Sequence, residues 1–201
     1  MVLMIALLTC NSCTYHSVTT LTIGTSSSPS SVKVAVPDCL ESLPNVPVRK
    51  DKSSRDVETE ADGLEMQGKG QPALDKYSEA YLLHLREKGY AAGRAMRGDP
   101  SASLEINTSI ESPEFPFKIG RAFAKAGKHE IAIRCFTESL NKKIASPNDA
   151  SAYLNRGEAY LATGQKQRAR LNYQKAADLF QKYKLPQYQK MAADKLRSVT
   201  P

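Results

Sequence analysis

Ile119-Gly120-x-x-Phe123-x-x-x-Gly127 and Arg156-Gly157-x-x-Tyr160-x-x-x-Gly164 decide how this chain is read. Each is followed by a second half-pattern. Ala132-x-x-x-Phe136-x-x-x-Leu140 follows the first, and Ala169-x-x-x-Tyr173-x-x-Ala176 follows the second. Gly120 to Gly157, Gly127 to Gly164, Ala132 to Ala169 and Phe136 to Tyr173 are each separated by 37 residues. Four matches in one register make Phe117 to Phe180 an internal repeat, and a repeat must be settled before any other reading.

The residue types carry a physical message. Gly120, Ala132, Gly157 and Ala169 are small, as residues must be where two helices approach closely. Phe123, Phe136, Tyr160 and Tyr173 supply the bulk beside those contacts. Gly127 and Gly164 stand where a helix should end in a left-handed residue, which glycine adopts without a Cβ penalty. Ala145-Ser146-Pro147-Asn148 reads as a stop and restart between the two copies.

The pattern resembles the tetratricopeptide repeat, a helix–turn–helix unit of about 34 residues. Tyr153 takes the family's first-helix aromatic position in the second copy, and Pro116 stands there in the first. The same register lies over residues 54–87, with Ala61 at the small position, Leu64 at the aromatic one, Gly68 at the turn, and Ala73, Tyr77 and Ala80 in the second helix. Glu60 departs from the expected apolar residue there. The resemblance implies an all-α fold: a short right-handed superhelix of antiparallel helix pairs with a C-terminal capping helix, preceded by a disordered N-terminal segment. Its units are a divergent repeat at 54–87, a connector at 88–112, repeats at 113–146 and 148–183, and a capping helix at 187–198. Tyr188, Met191, Ala192 and Leu196 form the apolar stripe of that last helix, as a terminal unit requires.

The family implies a concave groove, lined by the first helices, that binds a peptide or a partner helix. Carried onto this chain, the groove-facing residues are Phe117, Arg121 and Lys125, then Leu154, Glu158 and Leu161. Glu58, Asp62 and Glu65 precede them, so the groove is expected to run from acidic through basic to mixed apolar. A solvated inner face without a ligand is the plainer alternative.

Ahead of the repeats the composition changes. Residues 1–13 hold the apolar run Val2 to Leu8, far shorter than the roughly 20 residues that span a bilayer. Leu7-Leu8-Thr9-Cys10 resembles a bacterial lipoprotein signal, which implies Cys10 as the acylated residue and an exported, envelope-anchored protein; a cytoplasmic protein with an apolar end is the alternative. That reading expects a basic stretch upstream of Met1. Cys10-x-x-Cys13 has no second pair and no following His, so metal or haem attachment is not expected. Residues 14–53 are rich in Ser, Thr, Val and Pro and are expected to form a disordered tether. Val32 to Val36 alternates like a strand, but one strand alone is not stable.

The chain carries 28 Lys and Arg against 21 Asp and Glu, a formal excess of +7. From Gly164 onward there are nine Lys or Arg against Asp178 and Asp194, which accounts for the whole excess. Solvated helix faces explain such a distribution; so would an acidic partner or an anionic membrane. Nucleic acid is disfavoured, because no aromatics interleave with the bases. His16, His84 and His129 lack ligand-spaced partners, and His129 reads as an exposed helix-start residue. Cys135 reads as a small packing residue. Arg97-Gly98-Asp99 reads as a chance match to an integrin-binding tripeptide, and Asn107-Thr108-Ser109 matches the glycosylation sequon, which matters only in a eukaryotic secretory pathway. No phosphate loop, nucleophile elbow or carboxylate pair is present. The sequence therefore predicts a non-enzymatic scaffold without cofactor or metal; the alternative is a membrane-associated assembly factor using a lipid anchor and the basic C-terminal helices.

Overall fold

The computed structural model describes residues 18–23, 30–35, 39–49, 51–95, 112–141 and 147–200. Cys10, the leader at 1–13, Arg97-Gly98-Asp99 and Asn107-Thr108-Ser109 lie outside them. The body is all-helical. It holds α1 (Ser54–Met66), α2 (Gly70–Ala95), α3 (Glu114–Lys125), α4 (His129–Asn141), α5 (Pro147–Ala162), α6 (Lys166–Lys182) and α7 (Pro186–Val199). Each helix packs on the next in sequence, and α3 also touches α1 and α5.

The corners repeat one geometry. Gly127 and Gly164 have φ near +75° and +77°, as has Gly68. After each, the next N–H turns back onto a carbonyl five residues earlier: Lys69 to Leu64, Lys128 to Phe123, and Gln165 to Tyr160. This is the cap that satisfies helix-end carbonyls through a left-handed residue. The fourth corner makes the same bond, Leu185 to Phe180, but its left-handed residue is Lys184 at φ 57°.

The crossings repeat as well. A Cβ on Gly120 would meet the Phe136 ring at 2.8 Å, and one on Gly157 would meet the Tyr173 ring at 2.7 Å. Both rings are fully buried, so neither can withdraw. Gly70 is tighter still. A Cβ there would stand 2.5 Å from the Ala126 nitrogen and 2.7 Å from the Lys125 carbonyl carbon, so α2 starts against the backbone at the end of α3. In α3, Phe115 and Pro116 are both buried, and the Phe115 ring meets Tyr77 edge-on at 5.8 Å. Tyr160 packs against both core groups, one built from α1 to α4 with Cys39, Leu40 and Ala159 of α5, and one from α5 to α7.

Two expectations need correction. The segment 14–53 is not a disordered tether throughout. Strands β1 (Val18–Ile23) and β2 (Ser30–Ala35) pair antiparallel, from Val18 opposite Ala35 to Ile23 opposite Ser30. The missing partner for the lone strand was the β-branched run Val18 to Ile23, a composition suited to strands. Residues 39–49 then lie on the helices as a strap. Cys39 and Leu40 are buried, and Leu40–Ser42 form a 3-10 turn. The Arg134 guanidinium on α4 donates to Ser42 Oγ at 3.1 Å, and Ser78 Oγ on α2 donates to the Pro44 carbonyl. The second correction concerns 88–112. Residues 88–95 are not a connector but the last turns of α2, which runs unbroken to Ala95.

Glu79 anchors the end of the strap. Arg49 reaches it through its side chain at 2.7 Å and its backbone N–H at 3.1 Å, while Lys76 approaches at 2.9 Å. Arg49 also pairs with Glu60 at 2.7 Å, so the residue that departs from the repeat pattern serves the strap. Burial by itself would raise the Glu79 pKa, but the Arg49 and Lys76 bonds outweigh it and hold it at about 2.

Four substitutions have expected outcomes. In urea melts, Gly63→Ala, whose Cβ meets nothing within 4 Å, raises stability by about 0.5–1 kcal/mol. Gly157→Ala lowers it by about 1–3 kcal/mol, and Lys184→Gly raises it by about 1 kcal/mol. A carboxylate with a depressed folded pKa stabilises above its unfolded value and ceases to do so as pH falls. The Glu79 contribution is therefore complete above about pH 4.5 and lost towards about pH 2. Glu79→Gln is less stable than the parent at neutral pH, and the difference in urea midpoint closes across that window.

Candidate functional site

The facing sides of α1 and α3 carry two opposing stripes of charge. On α1 they are Glu58, Asp62 and Glu65, about one turn apart; on α3 they are Lys118, Arg121 and Lys125. Lys118 binds Glu58 at 3.0 Å and Asp62 at 2.7 Å. Arg121 binds Glu65 at 2.7 Å, and Lys125 binds both the Glu65 carboxylate and its backbone carbonyl. Three acids thus meet three bases. The expected gradient from acidic to basic does not exist as an open surface, because the two ends close on each other.

Burial makes this closure consequential. Glu58 and Glu65 are buried, while their cationic partners keep about a third of their side-chain surface. A buried carboxylate without its cation would be strongly destabilising. Burial works against the Lys118 charge, but the bonds to Asp62 and Glu58 outweigh it and hold the ammonium above its usual range. Asp62 also accepts the Tyr77 hydroxyl at 2.7 Å. Burial first, then that bond, push the Tyr77 phenol far above its usual range, so it remains a donor.

Beyond the ion pairs lies a cleft of about 240 Å³ between α3 and α5. Ala124 and Ala159 line its apolar part, and Arg121, Lys125, His129, Asn155 and Glu158 give the polar part. Three of the six sequence-predicted groove residues, Arg121, Lys125 and Glu158, come together here. Phe117 stands to the side. Its ring lies 5.9 Å from Phe136, and the Arg121 guanidinium lies 5.8 Å over it. Leu161 is half-buried against the α5–α7 core. Leu154 is not in the groove. It is buried among Tyr173, Ala176 and their neighbours, because one turn before Gly157 the helix faces α6.

His129 also differs from expectation. It starts α4, but it is half-buried, lines the cleft, and its Nδ1 makes no hydrogen bond within the protein. Asn155 is a cleft residue that sequence reasoning missed. It lies one residue from Leu154, and one residue along a helix turns a side chain from the core to the surface. Its amide nitrogen donates to the Ser151 carbonyl at 2.7 Å. Lys118 was missed for the same reason, lying next to Phe117. Glu158 is joined to α7 by Lys195 at 2.9 Å. Burial, with Glu158 nearby, raises the Tyr173 phenol to about 12, and its buried hydroxyl makes no hydrogen bond within the protein.

Arg156 stitches the neighbouring pairs. It donates to Thr137 on α4 at 3.0 Å and to Asn172 on α6 at 2.9 Å, with its guanidinium 5.2 Å over the Tyr153 ring. Burial lowers its pKa. Among the described residues, no group of three or more His, Cys, Asp or Glu is placed to hold a metal ion. No described helix is long and apolar enough to cross a membrane. No protein-family model matches the chain, and no curated protein matches it.

Glu65→Gln should lower stability by about 1–3 kcal/mol, since two cations lose their counter-charge. Adding Arg121→Met should recover part of that loss. A double-mutant cycle by urea denaturation measures the coupling, and additive losses would contradict the pairing.

Proposed function

We propose that this chain is a tetratricopeptide-type interaction protein, not an enzyme, and that it holds a peptide segment in the cleft between α3 and α5. The cleft is the observation that carries the reading. Its size argues against a small-molecule site, since those commonly enclose about 300–1,000 Å³. A volume of about 240 Å³ suits one or two side chains of a peptide lying across it. The floor of Ala124 and Ala159 accepts a small apolar side chain. Arg121 and Lys125, held from beneath by Glu65, turn their remaining surface toward acidic or amide groups on either side of it. The unpaired Nδ1 of His129 supplies a further polar contact.

The right-handed superhelix implied by the repeats supports the same reading. Such a superhelix places first helices side by side on a concave face, and the contacts of α3 with both α1 and α5 support that arrangement here. The cations are poor targets for mutation, because removing them frees buried Glu65. Filling the floor is the cleaner test. Ala124→Leu is expected to weaken binding of peptides selected on the full chain at least tenfold by calorimetry, while Lys175→Glu on the distant α6 leaves it unchanged. Equal affinity of the Ala124→Leu protein would overturn the cleft as the site.

A second reading has its own observation. Leu171, Tyr188 and Met191 are 60%, 51% and 40% exposed on α6 and α7, among the basic residues of those helices. Exposed apolar groups beside Lys and Arg suit an anionic membrane surface, with Cys10 as a lipid anchor giving the second attachment. Sedimentation with anionic and neutral vesicles separates the two, because peptide binding in the cleft is indifferent to vesicles.

A further inference from the structure

Cys39 opens the strap and Cys135 lies in the middle of α4. Both are free thiols, and both are completely buried in the same core group. The Cys39 side chain is a neighbour of Cys135 close enough to act on its thiol. Burial first, and the neighbouring Cys39 next, push the Cys135 thiol well above its usual range. The approach is fixed from both sides. Arg134, next to Cys135, donates to Ser42 on the strap at 3.1 Å, and the Cys135 Cβ would lie 3.2 Å from a Cβ on Gly120. Leu40, next to Cys39, is buried in that core too. A small packing role explains one buried cysteine. It does not explain why the strap and the helix each bring a thiol to the same place.

We infer that Cys39 and Cys135 form a redox pair that closes to a disulfide and latches the strap onto α4. The oxidant is another disulfide, of low molecular weight or on a protein. One thiol loses its proton, and its thiolate attacks the oxidant, displacing a thiolate and leaving a mixed disulfide. The second thiolate attacks the chain's sulfur in that mixed disulfide, forming the Cys39–Cys135 bond and releasing the other half of the oxidant. Two S–H bonds are lost and one S–S bond is made. The two electrons and two protons leave with the oxidant, now two thiols. Since the thiolate is the nucleophile and both sulfurs are buried, closure requires the strap to lift briefly. The latch therefore closes during folding in an oxidising compartment and stays open in a reducing one.

The test uses the full chain, folded in mixtures of reduced and oxidised glutathione. Remaining thiols are trapped under denaturing conditions and the peptides mapped by mass spectrometry. A single Cys39–Cys135 linked peptide is expected, and it persists in the Cys10→Ser/Cys13→Ser variant. Links chiefly to Cys10 or Cys13, or four reactive thiols after oxidation, would overturn the pairing. The linked protein should melt on the order of 10 °C above the same protein treated with dithiothreitol, since the bond closes a long loop. Cys39→Ser should show no redox-dependent melting. Amide exchange across 39–49 should slow at least tenfold on oxidation; a linked protein with unchanged exchange there would reject the latch.

Discussion

An aromatic ring resting on a helix that has no Cβ is the contact on which the repeated part of the molecule depends. Phe136 occupies the space above Gly120, and Tyr173 the space above Gly157. The glycine fixes how near two helices come, and the ring fixes how they are rotated about that approach. Neither residue is useful alone. A side chain on the glycine would part the helices, and a smaller ring would leave a cavity costing about 24 cal/mol per Å³. The left-handed corners at Gly127 and Gly164 then return the chain at the one place from which the ring can reach its seat.

These contacts are local in sequence, and that is why they could be read. Gly120 and Phe136 are 16 residues apart, and the same interval separates Gly157 from Tyr173, so a repeated pattern records them directly. Long-range contacts left no such trace. Gly70 meets the backbone at the end of α3, more than fifty residues away, and nothing around it distinguishes it from a turn glycine. Lys184 performs a glycine's task without being one. The strap looked disordered because its composition is that of a linker, yet Cys39, Ser42, Pro44 and Arg49 each find a partner supplied by the helices.

The candidate site illustrates the same limit. The register brought Arg121, Lys125 and Glu158 forward, and these three line the cleft between α3 and α5. It could not say that α1's acids would neutralise α3's bases across 56 to 60 residues of chain, nor that Leu154 turns toward α6. Both depend on a rotation of a few tens of degrees about a helix axis, finer than a pattern of small and aromatic residues defines. The consequence is that the two cations belong to the stability of the first two helix pairs as much as to any ligand.

The strap also determines how the chain answers to force. A stack of helix pairs held only by nearest-neighbour contacts behaves as a spring, with each junction yielding in turn. Here the first two pairs are bridged twice, through the α1–α3 ion pairs and through residues 39–49. The α5–α7 part has no such strap among the described residues. Parting the first two pairs must therefore break both bridges, whereas α7 is held by its packing on α6 and by the Lys195–Glu158 pair.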